Sequence, residues 1–414
     1  MKVINLSPVQ FDEYAEKHPN KTYYQSSKYG EFIKHFGSKT EYLGIVDDDN
    51  NILGASLVLF RDVFMGNKIG YAPRGFLFDY EDKERVAELA ETLKRDLAKK
   101  KYMYFIMDPS VALSVRDKTG EIVNLNHNAE STLDNIKAAG FSYKGETKYL
   151  ENGSQKSRWE GVITLNQDIR DKFNNFDKRT RSKIRKASSA GLEIHKDDKK
   201  DIKYVYEFVK KKERKPISYF QEFIKEFGDN IDVYYVNVNT ETYIINSRRA
   251  YEKEVETNDN LAEIIQDPSI DQKTRDEYIN KKMKSDTQKE IYKNNMIQST
   301  KLLKEYPKGI PVAGAIVLRY DNAAYIITEG INEKYKNLYA GYFLKWKMIE
   351  EYISQGIKYI NLGAVSGDFT ADNKYKALNE SKLGFNTLVT ENIGEFELII
   401  KKLSYNLYLN LNKK

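Results

Sequence analysis

Apolar and polar positions fall into three arrangements that each recur along this chain. Tyr42-Leu43-Gly44-Ile45-Val46 and the apolar run 53–60 read as two strands joined by a polar turn at 47–51. Val233-Tyr234-Tyr235-Val236 and the run 312–318 repeat that pair. A charged amphipathic helix predicted over 81–99 runs into the strand 102–108, and a helix over 344–354 running into 357–363 echoes it. Ile136-Lys137-Ala138-Ala139-Gly140-Phe141 is matched by Glu380-Ser381-Lys382-Leu383-Gly384-Phe385. Three echoes in the same order predict a duplicated α/β unit.

The spacing of the echoes locates an insertion. The first strands lie about 190 positions apart, whereas Gly54-Ala55 and Gly314-Ala315 are 260 apart, so roughly 70 residues interrupt the second copy. Residues 242–306 are highly charged, with one proline, Pro268, and no glycine. Ile244, Arg248, Tyr251, Val255, Asn258, Ala262 and Ile265 step by four and three, as do Tyr292, Met296, Ser299, Leu303 and Tyr306. That seam predicts an antiparallel helical hairpin turning at Pro268, each arm about 35–50 Å long. A solvated spacer and a binding arm both fit it. The expected organisation is a first unit over 1–150 completed by 395–414, a second over 151–241 and 308–394, and a coiled-coil arm over 242–307. Both units are expected to be mixed α/β (α+β) domains of the GNAT-like acyltransferase type.

Composition then narrows the chemistry. The chain has 414 residues, 40% hydrophobic and 31% charged, which fits a folded globular protein. No cysteine means no disulfide framework, thiolate nucleophile or sulfur-ligated metal, and it suits a reducing compartment. His18, His35, His127 and His195 include no pair at a metal-ligand spacing, so no metal is expected. The start of the chain lacks an apolar signal region, and no stretch approaches the ~20 apolar residues of a membrane span. A cytoplasmic protein is expected, with room for contact at the membrane surface.

The net charge, 67 Lys+Arg against 61 Asp+Glu or +6, is mild, but its distribution is not. Residues 178–186 hold Lys178, Arg179, Arg181, Lys183, Arg185 and Lys186 and no acid. Such a helix face attracts phosphate, although charge runs are usually solvated surface. Lys210-Lys211-Lys212-Glu213-Arg214-Lys215 adds charge before Tyr219-Phe220. Asp108, at the carboxyl end of an apolar strand and before Pro109, could accept donors from a ligand or simply end the strand. Arg74 is a loop cation beside Gly75, and Lys382 alone reads as surface. Gly-x-Ser-x-Gly and Walker-type loops are absent. An amine attacking an already activated ester would need neither.

Taken together, Gln25-Ser26-Ser27-Lys28-Tyr29-Gly30, Tyr71-Ala72-Pro73-Arg74-Gly75-Phe76, Asp108-Pro109, Arg179-Thr180-Arg181-Ser182-Lys183-Ile184-Arg185, Pro216-Ile217-Ser218-Tyr219-Phe220, Lys382-Leu383-Gly384-Phe385 and Ile393-Gly394-Glu395-Phe396 resemble the FemABX family across nearly the whole chain. The resemblance implies transfer of Gly, Ala or Ser from aminoacyl-tRNA to a stem-peptide amine of a peptidoglycan precursor, lipid II or UDP-MurNAc-pentapeptide, without a cofactor. It assigns Lys34, Lys215 and Tyr219 to precursor phosphates and sugar, Asp108 to precursor binding, and Lys382 to the transfer step. Arg74 joins the expected precursor site. Arg179, Arg181, Lys183, Arg185 and Lys186 become the expected tRNA contact.

The sequence departs from the family at Lys215, where some relatives carry Arg, and at Ile327, where relatives often carry Tyr. Glu31 shares a predicted helix face with Lys34, so the alignment there admits either. Two rivals remain at this level. One is an acetyl-CoA-dependent acyltransferase, which needs a glycine-rich pyrophosphate loop where this chain has Lys336-Asn337-Leu338-Tyr339-Ala340-Gly341. The other is a non-catalytic RNA- or partner-binding protein on the same fold.

Overall fold

The first predicted strand pair forms as Lys39–Val46 against Ile52–Asp62, antiparallel. Its echo is Ile231–Val238 against Ile310–Tyr320, also antiparallel. In the computed structural model, which describes residues 1–145 and 155–411, each pair belongs to its own sheet. The first sheet runs Lys2–Asn5, Lys39–Val46, Ile52–Asp62, Lys68–Ala72, Tyr102–Met107, Phe396–Ile399, Ser142–Tyr143, with Leu77–Phe78 beside Ile52–Asp62. The second runs Leu192–Lys196, Ile231–Val238, Ile310–Tyr320, Ala323–Ile331, Tyr359–Ala364, Trp159–Thr164, Leu388–Asn392, Ala112–Arg116, Ile122–Leu125.

Each sheet contains one parallel pair, Lys68–Ala72 with Tyr102–Met107 and Ala323–Ile331 with Tyr359–Ala364. A parallel pair needs a crossover, and helices Lys83–Lys99 and Ala340–Ser354 supply it. Asp82 starts the first of these by accepting from the amides of Glu84 and Arg85. Val86, Leu89, Ala90, Leu93 and Leu97 form its buried stripe.

Two segments cross between the sheets. Ala112–Arg116 and Ile122–Leu125 lie inside the 1–150 range expected for the first unit, yet they extend the second sheet. Buried Glu391 fixes this junction. Its carboxylate accepts from Ser114 Oγ at 2.7 Å, Arg116 Nη2 at 2.9 Å and Arg158 Nη2 at 2.8 Å, so leaving that edge would strand a buried charge. Phe396–Ile399 returns to the first sheet, pairing with Tyr102–Met107. The units also share a core, in which Phe32 and Tyr23 meet Phe223 edge-on at 5.1 and 6.3 Å. Truncating such a buried Phe typically costs about 3–5 kcal/mol.

The inserted hairpin consists of helices Thr240–Gln266 and Gln272–Glu305, about 40 and 50 Å long at 1.5 Å per residue. They run antiparallel. Asn258 Nδ2 donates to Ser285 Oγ at 3.2 Å and Asp286 Oδ1 at 2.8 Å, while near the tip Arg275 Nη2 donates to Asp267 O at 2.9 Å. Arg248, expected in the seam, is exposed; Ser247 is buried in its place, because a small hydroxyl fits between the helices and a guanidinium does not. Among the described residues no helix is long and apolar enough to cross a membrane.

Candidate active site

The parallel strands of the second sheet pair from Ala323↔Tyr359 to Tyr325↔Asn361 and no further. Beyond that point they part, and a cavity of about 490 Å³ opens between the two units. Its lining includes Arg74, Lys156, Glu160, Lys215, Tyr219, Asn361 and the backbone at Gly363-Ala364.

Arg74 reaches the cavity from a tightly braced loop. The Gln25 side chain donates to Pro73 O at 2.7 Å and accepts from the Leu57 amide at 2.8 Å. A Cβ on Gly75 would stand 2.5 Å from Ser56 Oγ, so this close approach requires glycine. Asp108 completes the brace from below. It is 3% exposed, and its oxygens accept from the Arg74 amide at 2.6 Å and from Tyr71 Oη at 3.1 Å. Burial pushes the Asp108 carboxyl up, against the opposing pull of the Arg74 guanidinium.

A polar relay continues from Arg74 across the cavity floor. Arg74 Nη2 donates to Glu160 Oε1 and to Ser157 O, both at 2.6 Å. Asn361 Nδ2 donates to Glu160 Oε2 at 2.9 Å, and Asn361 Oδ1 accepts from the Gly363 amide at 2.7 Å. The carbonyls on either side of Gly363 hold Lys382: its Nζ donates to Leu362 O at 2.7 Å and Ala364 O at 2.8 Å. These carbonyls are available because their strand has left its parallel neighbour. Burial pushes the Lys382 amine down to about 8, with Glu329 opposing and Lys345 and Lys212 reinforcing the fall. Glu329 is itself ion-paired to Lys345 at 2.6 Å.

A second amine, Lys156, sits in the wall with Nζ 4.0 Å from the centre of the Tyr24 ring and 3.3 Å from Tyr29 Oη. Burial lowers its pKa to about 7, opposed by Asp108 and aided by Arg74 and Lys215. Lys215 Nζ lies 3.7 Å above the Tyr219 ring. The cavity thus offers cations and phenols to an anionic, hydroxylated ligand, with two amines of lowered pKa beside it, Lys156 part-buried in the wall and Lys382 buried behind the edge.

The expected residues separate into three places. Arg74, Lys215 and Tyr219 line the cavity, and Lys382 lies behind its edge. Asp108 is behind Arg74 and off the lining, where its carboxylate accepts from Tyr71 Oη and the Arg74 amide. Lys34 is also off the lining, half-exposed and paired with Glu31 at 2.6 Å on the helix face they share. Arg179, Arg181, Lys183, Arg185 and Lys186 occupy helix Lys178–Ser189. Arg179 and Lys183 line a separate depression of about 420 Å³, whose wall is the helix carrying Lys382, Lys376–Leu383. Lys183 Nζ donates to Tyr342 Oη at 2.8 Å, Arg181 to Asn174 O, and Arg185 stacks 5.4 Å from the Phe173 ring. Among the described residues none of the six cations of this helix forms an ion pair; Asp177 at its start pairs with Lys118 instead.

A model of the FemAB family matches residues 6–413. The chain belongs to the FemAB family. Among its FemAB relatives, the aminoacyltransferase FemA of Staphylococcus epidermidis is 25% identical over 100% of this chain and 99% of its own length. The lipid II:glycine glycyltransferase of Staphylococcus aureus is 25% identical over 98% of this chain and 95% of its own. The crystal structure of FemX superposes with a TM-score of 0.71 at 21% identity, covering 98% of this chain and 99% of that one, and so shares the fold.

Lys156, Glu160 and Asn361 escaped the sequence reading of this FemAB chain. Asn361 is a polar residue inside the apolar run Tyr359-Ile360-Asn361-Leu362, and Glu160 follows Trp159 at the start of a strand. Those interruptions of apolar strands were the available signal. Lys156 sits in a loop and had none.

Proposed function

We propose that this chain transfers Gly, Ala or Ser from aminoacyl-tRNA to the stem-peptide amine of lipid II, building an interpeptide bridge at the cytoplasmic membrane face. Family membership and the names of the curated relatives support the reaction class. The observation that carries the reading is the placement of Lys382, buried with two N–H groups given to strand carbonyls at the edge of a cation-lined cavity.

In this reading Arg74 and Lys215 meet the precursor's phosphates, and Tyr219 its sugar. The acceptor amine attacks the ester carbonyl of the aminoacyl-tRNA, forming a C–N bond and an oxyanion. Protonated Lys382 has a third N–H free for that oxyanion. Lys156, favoured in its neutral form by burial, takes the proton that the amine loses. Collapse breaks the ester C–O bond, and the ribose oxygen leaves as a hydroxyl with the proton that Lys156 took. The depression beside helix Lys178–Ser189 holds tRNA phosphates on the far side of the Lys382 helix.

Purified chain mixed with lipid II and each radiolabelled glycyl-, alanyl- or seryl-tRNA tests this. Label is expected on the lipid from at least one donor. No transfer from any charged tRNA, or acylation driven by acetyl-CoA without tRNA, would overturn it.

A further inference from the structure

Helix Lys402–Leu411 has an inner and an outer face with different chemistry. The inner face is aromatic. Tyr405 meets the Tyr104 ring edge-on at 5.3 Å and donates to Glu397 Oε1 at 2.7 Å, while Tyr408 Oη accepts from Arg61 Nη2 at 3.2 Å. These contacts hold the helix against the first sheet.

Outward, Leu403, Leu407 and Leu411 recur every four residues and are 88%, 45% and 54% exposed. That spacing places them on one side of the helix. A neighbouring turn adds further exposed apolar side chains. Lys401 Nζ lies 3.5 Å from Asn67 Oδ1, and Asn67 closes the turn that displays Phe64 and Met65, 48% and 75% exposed. Five large apolar side chains thus gather uncovered in one region, where a scatter of single exposed residues would be ordinary.

Charge identifies the occupant. From 398 to 414 the sequence contains no Asp or Glu and four lysines, Lys401, Lys402, Lys413 and Lys414. A leucine face with Lys401 and Lys402 at the start of its helix and tyrosines behind it suits the interface of an anionic bilayer. Leucines enter the acyl boundary while ammonium groups stay among the headgroups. A second copy of this surface would instead bring like charges together.

We propose that helix Lys402–Leu411, with the Phe64–Met65 turn, docks the protein on an anionic lipid surface. This deepens the membrane-face location proposed above and rests on that reading for its purpose.

Co-sedimentation of the full chain with phosphatidylcholine vesicles, with and without phosphatidylglycerol, tests it. The wild type is expected to partition onto the anionic vesicles. A variant with Leu403→Ser, Leu407→Ser and Leu411→Ser should partition roughly ten-fold more weakly or worse. Leu403→Glu, at the most exposed position, repeats the test with one change if the triple variant misfolds. Transfer to a lipid-free precursor should be the same in wild type and variants. Equal sedimentation of wild type and variants would overturn the proposal, as would a wild-type dimer in light scattering that the substitutions dissociate. Loss of vesicle binding with soluble transfer intact separates the anchor from the chemistry. Vesicle binding without any transfer would sink the transferase reading and leave the anchor standing.

Discussion

Lys382 and Lys156 are the two amines whose surroundings most change what they can do. An exposed lysine is a cation throughout the neutral range, whereas burial brings these two to about 8 and about 7. The assigned roles then fix the direction of the pH dependence. Transfer should rise as pH climbs through about 7, when Lys156 loses its proton, and fall as pH passes about 8, when Lys382 loses the charge that meets the oxyanion. Measuring kcat/KM against pH checks this, and Lys156→Met should flatten the rising limb only. A rate that instead rises through pH 8 would make Lys382 the proton acceptor. Asp108 shows what position alone leaves out at this scale. Its place at a strand end was visible in sequence, but its burial beneath Arg74 depends on Tyr71 and the 73–75 loop, which no local pattern reveals.

Among the elements, helix Lys178–Ser189 carries the clearest electrostatic expectation. Its inner residues Thr180, Ile184 and Ala187 are buried, and its cations project without carboxylate partners among the described residues. Replacing Arg181, Lys183 and Arg185 with Ala should lower the salt-dependence slope of tRNA binding by about 2–3, since each phosphate contact contributes about 0.7–0.9. Filter binding across a salt series, with the thermal midpoint as a folding control, measures it. An unchanged slope would assign the helix to lipid II or to solvent. The hairpin was legible from its four-and-three spacing and single proline because a two-helix seam is a local periodicity. The seam itself slipped by one position, Ser247 for Arg248, since which residue fits between helices is decided by the partner helix.

Over the whole molecule, the duplication was readable because each copy repeats a hairpin, a helix-to-strand crossover and a final helix in the same order. What stayed hidden was long-range pairing. Ala112–Arg116 joins the second sheet through contacts with Leu388–Asn392, and Glu391 draws Ser114, Arg116 and Arg158 together from distant positions. The cavity has the same origin, since Arg74, Glu160 and Asn361 come from separate stretches and meet only when the units close on one another. In the proposed reading one set of residues binds and another reacts, so the two can be separated. The most direct measurement is therefore of Lys382→Ala, comparing single-turnover transfer with the Kd for precursor. Transfer is expected to fall about 100-fold or more, as when one oxyanion donor is removed, while precursor affinity stays within about two- to three-fold. Equal losses in both would contradict the placement of Lys382 at the reacting bond.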